Sequence, residues 1–475
     1  MNHPLGSPYV RDQLSLRATQ LNSVRMQPDG EYVLYWMQST QRLEDNWALR
    51  YATVEADRIG KPLVIYFALR ADDRYASARS LTFALEGIRQ VAVRSARLGL
   101  TFRVRVVPLA DDDLRIVTRL ASRAYEVVTD LFPTNGVAER SARAAERVGC
   151  RLVAVDSAGV IASASFHKEE FAARTIRPKM AKLLEHSLEG VEDRAPRKSA
   201  SAALLESLDM DWLDVLRCDI AEVVASADVD HSVREVSTRG GLTHARGRLD
   251  EFIGDGLRDY AERRRHPSDQ GGSSHLSPYL HAGTISPREV AMTVRNATDS
   301  ATSDAFLNEM LTWRELSLNF CLRNDRHESI EALPDWVRRS MERHADDPRD
   351  VVYSLDELER SATHDDIWNA GQRELVETGQ MHNVVRMLWG KSVLTWAPTY
   401  ADAMAWLIHL NDKYALDGCD PNSYAGIQWC FGKFDRPFAE RPVWGTIRPM
   451  SLVRARSKYD LDGYLSRWSA EPLLL

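Results

Sequence analysis

Cysteine is scarce in this chain: five residues in 475, with no Cys-x-x-Cys pair. That pattern excludes a disulfide framework and the common zinc-binding spacings, and it points to a reducing, cytoplasmic setting. No apolar run approaches the roughly 18 residues of a membrane-spanning helix. Met1–Asp29 lacks the apolar stretch of a secretory leader and reads as a flexible arm. The first third contains no Gly-x-Gly-x-x-Gly turn, so the usual dinucleotide pyrophosphate loop is not indicated there. Net positive charge is also missing. The formal charge is −7, which by itself argues against a polyanionic partner. What remains is ordinary for a globular protein, 44% apolar and 27% charged, on a length sufficient for two or three domains.

The first third alternates short apolar, β-branched runs with helical patterns. The runs are Tyr32–Met37, Pro62–Leu69, Thr101–Val107, Tyr125–Thr129 and Arg151–Val155, and Ser80–Leu98 shows helical spacing between two of them. This alternation predicts a doubly wound α/β domain with a buried parallel sheet. Glu189–Ala203 is charged and interrupted by Gly190 and Pro196, as in a linker. Beyond it the periodicity is helical, broken at Gly271–Ser274.

Two local features run against the global picture. Phe431–Lys458 holds seven basic and two acidic residues, and Arg263–Arg265 forms a second basic run. Such patches are footprints for phosphate, although a solvated surface accounts for either one alone. Tryptophan is concentrated in the second half, with two residues before position 200 and ten after it. Trp389 and Trp396 are seven apart and share a helix face, about 10 Å apart along the axis. Trp368 precedes them on a separate helix. Indoles at such separations can relay an electron to a buried acceptor; spacing alone favours an apolar core stripe.

Several long segments resemble one family. Trp368–Trp396 (WNAGQRELVETGQMHNVVRMLWGKSVLTW), Leu410–Trp429 (LNDKYALDGCDPNSYAGIQW), Leu276–Ser286 (LSPYLHAGTIS) and Phe306–Cys321 (FLNEMLTWRELSLNFC) are similar to the class II cyclobutane pyrimidine dimer photolyases. So are Tyr35–Leu49 and Ala173–Lys179, and the likeness covers nearly the whole chain from about residue 30. The resemblance implies a photolyase/cryptochrome fold: a Rossmann-like α/β antenna domain over residues 30–186, a linker region over 187–230 and an all-helical FAD-binding catalytic domain over 231–475. It implies light-driven repair of cyclobutane dimers in double-stranded DNA, by electron transfer from photoexcited reduced FAD to the flipped lesion. It also implies a monomer with no metal and no membrane association. A deazaflavin or a folate as antenna remains open.

Carried over by position, Trp389 lies nearest the flavin, followed by Trp368 and Trp396. Asn411 faces the flavin N5, where an amide can donate or accept as protonation changes. Tyr260, Ser273, Ser274, Leu276, Ser277, Asn383, Arg386 and Asp417 line the cofactor site. Small hydroxyl residues beside a helix start suit a diphosphate. Glu309, Trp313, Met387 and Trp429 form the dimer pocket. A carboxylic acid there would hydrogen-bond a carbonyl that gains charge, a role that requires burial to keep the proton on Glu309. Two indoles can cradle a flipped dimer by face contact. Arg264, Arg436, Phe438 and Arg448 fall where the family meets the opened duplex.

The chain also departs from the family. Gly432–Phe438 reads GKFDRPF, one residue short, with the usual His missing, Lys433 as an extra charge, and Phe438 where the family has Trp. Two other readings stay open: a signalling cryptochrome of the same fold, and a non-catalytic binder of damaged DNA. Retention of Glu309 with the paired indoles favours repair.

Overall fold

The computed structural model describes residues 7–108, 110–190 and 192–469, which cluster into two compact units. Unit 1 takes Met1–His167, Leu183–Gly247 and Pro278–Met292; unit 2 takes Lys168–Lys182, Arg248–Ser277 and Thr293–Leu475.

Unit 1 is built on a six-stranded sheet: β1 (Ala18–Gln20), β2 (Tyr32–Met37), β3 (Leu63–Arg70), β4 (Thr101–Val107), β5 (Ala124–Asp130) and β6 (Leu152–Val155), in the order β1-β6-β5-β2-β3-β4. β2 to β6 are parallel, with Tyr35 opposite both Ile65 and Val128. Every side chain of β2 is buried, which is why its sequence runs apolar without alternation. The expected strands are all present. β3 starts at Leu63 because Pro62 has no N–H; its carbonyl accepts from Val33 N at 3.0 Å. The crossover helices are Trp47–Ile59, Ala78–Arg97, Ala110–Ala121 and Val137–Arg147.

Two expectations need correction. Within the arm assigned to residues 1–29, Pro8–Arg17 is a helix, followed by β1, which pairs antiparallel with β6. Ser7 caps the helix and Pro8 opens it. Tyr9, Val10 and Leu14 bury one face. Arg17 is 1% exposed, and its guanidinium donates to the carbonyls of Asp156 (3.1 Å), Gly159 (3.2 Å) and Val160 (2.6 Å). The polar composition hid this helix because its anchor is itself polar. Met1–Gly6 lie outside the described residues. The second correction concerns the linker over 187–230, which carries the helices Ala202–Ser207 and Ile220–Ser226. Leu204 and Leu208 join the core on one face of the sheet, and Val215, Val224 and Ala227 the core on the other. The stretch 231–247, expected to open the helical domain, also clusters with the sheet unit.

Unit 2 is helical. Its main helices are Ser300–Arg323, Asp366–Thr378, Asn383–Trp396, Tyr400–Tyr414 and Pro421–Cys430. Asp365 starts the second by accepting from the N–H groups of Ile367 and Trp368, and Gly379 ends it at φ 71°. Ser300–Arg323 packs on Pro421–Cys430, and Asn383–Trp396 packs against the other three. No described helix is long and apolar enough to cross a membrane.

Truncating Arg17 to Ala strands three buried carbonyls and should cost about 3 kcal/mol of stability. Chemical denaturation followed by circular dichroism checks this; a flexible arm would give no change.

Candidate functional site

Helix Asp366–Thr378 lies against helix Asn383–Trp396, and this crossing brings three indoles together. Trp368 stands between the other two. Its ring centroid is 6.2 Å from Trp389, nearly parallel at 11°, and 5.8 Å from Trp396 at 61°. All three are buried. Each of the inner rings is fixed by its N–H: Trp368 Nε1 donates to the Trp389 carbonyl and Trp389 Nε1 to Gln372 Oε1, both at 3.0 Å. Gln372 is fully buried and was not foreseen; the signal was its position one turn after Trp368. Tyr353 and His364 pack on Trp396, beside a cavity of about 500 Å³ whose lining includes Ala362, His364, Asn369, Arg373 and Leu465.

The assigned cofactor residues all fall in unit 2. Arg386 and Asp417, read separately from sequence, form an ion pair at 3.3 Å. Asn411 is buried, and its Nδ2 donates to Asp412 Oδ1 at 2.9 Å. Asp412 also accepts from Cys419 N and Tyr424 OH, while burial holds its carboxyl above the usual range. Tyr260 is buried edge-on to Phe252 and Phe306, and burial pushes its phenol to about 12. Leu276 is buried, Ser273 and Ser274 half-buried, and Ser277 and Asn383 exposed at the first positions of their helices.

The segment MHNVVRM holds one more residue of interest, His382. Its Nδ1 caps helix Asn383–Trp396 by accepting from Val384 N at 3.3 Å. Its Nε2 is buried with no hydrogen-bond partner among the described residues. Burial and then the nearby charge of His275 and Arg264 push the imidazole down to about 4, so it is neutral at physiological pH. An orphaned ring nitrogen beside Arg386 fits a cofactor with hydrogen-bonding groups and an anionic diphosphate. The residues present therefore fit FAD.

The residues expected to form the dimer pocket differ from expectation in one respect. Glu309 and Trp313 are four apart on helix Ser300–Arg323 and share a face. Glu309 is half-buried, not deeply buried, and accepts from Arg264 Nη2 at 2.9 Å. The environment foreseen for a proton-sharing acid is replaced by an ion pair. Trp313 and Trp429 are both half-buried, while Met387 packs on the apolar cluster of Ile367, Val384, Leu388, Ala455 and Leu461. Thus Met387 also serves the core.

The loop after Cys430 is pinned at several points. Lys433 is buried, and its ammonium reaches Glu169 Oε1 at 2.6 Å and the Ala332 carbonyl at 2.8 Å, so the extra charge is an anchor. Farther along, His344 bridges Asp347 Oδ2 (2.6 Å) and Glu440 Oε1 (3.0 Å), and Asp347 accepts from Val443 N at 2.7 Å. Phe438 is flanked by two guanidiniums, Arg436 at 5.4 Å and Arg448 at 4.8 Å from the ring centroid. Asp435 holds Arg448 at 2.8 Å. The loop thereby presents an aromatic edge between two cations.

Comparison with known proteins shows the family. A DNA photolyase family profile matches residues 33–199. A deoxyribodipyrimidine photo-lyase of Methanothermobacter thermautotrophicus is 35% identical over 95% of this chain and 97% of its own length. The enzymes of the same name from Arabidopsis thaliana and Potorous tridactylus are 33% and 32% identical over 91% and 92% of this chain, and 88% and 81% of theirs. The crystal structure of a class III photolyase from Agrobacterium tumefaciens superposes with a TM-score of 0.65 at 19% identity, covering 94% of this chain and 88% of that one. An archaeal photolyase from Sulfolobus tokodaii with two FAD molecules gives 0.67 at 19% identity, covering 92% and 89%. These two structures share the fold. The chain belongs to the DNA photolyase family.

The depressed His382 value has a stability consequence. The folded state resists protonation down to about 4, whereas the unfolded imidazole takes its proton near 6.5. The contribution is present above 6.5 and lost as pH falls towards 4. A His382→Asn variant should show a flatter profile of thermal midpoint over that window, read by calorimetry.

Proposed function

We propose that this protein is a deoxyribodipyrimidine photo-lyase of the class II type, acting as a monomer on pyrimidine dimers in double-stranded DNA. The observation that carries this reading is the continuous indole stack Trp396–Trp368–Trp389, in the same helical unit as the Glu309–Arg264 pair. Relatives named deoxyribodipyrimidine photo-lyase, 32–35% identical over nearly the whole chain, support it.

When bound in its reduced form, FAD would supply the photoexcited electron for opening the cyclobutane ring, with no net redox change over the cycle. Tyr260, Ser273, Ser274, Leu276, Ser277, His382, Asn383 and Arg386 hold the cofactor, with Asp417 orienting Arg386. Asn411, steadied by Asp412, offers its amide to the flavin edge. The relay would carry electrons inward through Trp396 from an external reductant in solution, which would be oxidised as a bound flavin is reduced. Trp313, Met387 and Trp429 receive the flipped dimer; extruding it costs a few kcal/mol, less for a lesion whose stacking is already impaired. The Glu309–Arg264 pair presents acceptor and donors to the pyrimidine edges, and the spare guanidinium N–H groups can stabilise a carbonyl that gains charge. Arg436, Phe438 and Arg448 engage the opened duplex.

Illuminating the pre-reduced protein with a dimer-containing duplex tests this. Dimers should disappear in light and persist in the dark, and intact dimers after saturating illumination would sink the reading. In the same assay, Trp368→Phe should leave repair by pre-reduced protein intact while slowing photoreduction of the oxidised form, followed by flavin absorbance.

A further inference from the structure

Lys391 lies in the middle of helix Asn383–Trp396 and is 0% exposed. Its ammonium donates to the Cys430 carbonyl at 2.7 Å, and no carboxylate among the described residues forms an ion pair with it. A buried charge without a counterion is among the costliest groups a core can hold, and a methionine of similar length would fill the space at less cost. Stability therefore does not explain it.

The surroundings of Lys391 are informative. From helix Pro421–Cys430 it meets the Cys430 carbonyl and thiol and the face of Trp429, whose centroid is 4.9 Å from Nζ. From the following loop it meets Trp444 at 5.9 Å. The charged groups nearby are Asp435 and Arg448, already paired with each other at 2.8 Å. Burial pushes the Cys430 thiol up to about 11, so it stays neutral and supplies no countercharge. What Lys391 gains is two indole faces, whose quadrupoles attract a cation most strongly where water is excluded.

We propose that Lys391 is a positioning residue for the lesion: its ammonium clamps Trp429 and Trp444 and places a fixed positive charge behind the indole on which the dimer docks. This rests on the photolyase reading. The charge stabilises the lesion while it holds the transferred electron, through Trp429 and in a wall of low dielectric. Lys391 forms no bond and gives up no proton; the electron enters the dimer and leaves it, and the ammonium is unchanged. Burial lowers this ammonium to about 8, so the charge is present at neutral pH and is withdrawn as pH rises above that value.

Lys391→Met separates this role from packing. In thermal denaturation the variant should be at least as stable as wild type at neutral pH. Its advantage should shrink between about 8 and 10.5, where the folded lysine is neutral and the unfolded one still charged. In single-turnover repair with DNA saturating, the wild-type yield should fall as pH passes about 8, while the variant should be several-fold lower at neutral pH and flat across that range. A variant that matches wild type in yield and profile overturns the inference. So does a repairing wild type with a flat profile, which needs no variant to fold. A wild type that repairs nothing at any pH overturns the photolyase reading as well.

Discussion

The proposed electron relay depends on the insertion of one indole between two others. Trp389 and Trp396 belong to one helix but do not touch; two turns of backbone separate them. Trp368, on the preceding helix, closes that gap, with rings about 6 Å away on either side. The register of two helices is therefore a functional quantity. Asp365 fixes where the first begins, and Gly379 and the cap at His382 fix where one ends and the other starts. A one-residue slip would turn Trp368 by about 100° about its axis and break the relay. Gln372 and the Trp389 carbonyl add hydrogen bonds that only the correct register satisfies.

Within the helical unit the protein places polar groups where cores usually avoid them. Lys391, His382, Asn411, Asp412, Gln372 and Lys433 are largely removed from water within the helical unit. Some are fully partnered, as Lys433 is by Glu169 and Ala332. Others keep an open valence, as His382 does at the start of helix Asn383–Trp396, or an uncompensated charge, as Lys391 does within it. That uneven satisfaction separates groups that hold the fold from groups available to a ligand.

Much of this was legible in the sequence, for identifiable reasons. The parallel strands announce themselves as unbroken apolar runs because both faces of the sheet are covered. Spacing put Trp389 and Trp396 on one helix face but by itself favoured a core stripe; the relay order, with Trp368 in it, came from the family resemblance. The N-terminal helix was not, because its anchor is Arg17, a residue that sequence patterns place at the surface. The segments around Leu204 and Val224 read as linker because their helices are short and their apolar residues few, yet each covers a sheet face. Ion pairs such as Glu309–Arg264, 45 positions apart, and Arg386–Asp417, 31 apart, are set by tertiary packing, so local pattern cannot supply them. The same holds for Lys391, whose neighbours on the loop lie far along the chain.

The first strand has a consequence beyond anchoring the N-terminus. An open parallel sheet offers two rows of unpaired backbone groups, each a template for association with another chain. β1 occupies the β6 side, and its antiparallel course needs no crossover. On the β4 side, Leu213 N–H takes the Val104 carbonyl at 2.8 Å, and Arg103 and Arg105 line the same strand. The chain itself thus shields both borders of the sheet, fully paired at β1 and guarded by Leu213 and two arginines at β4, against edge-to-edge pairing.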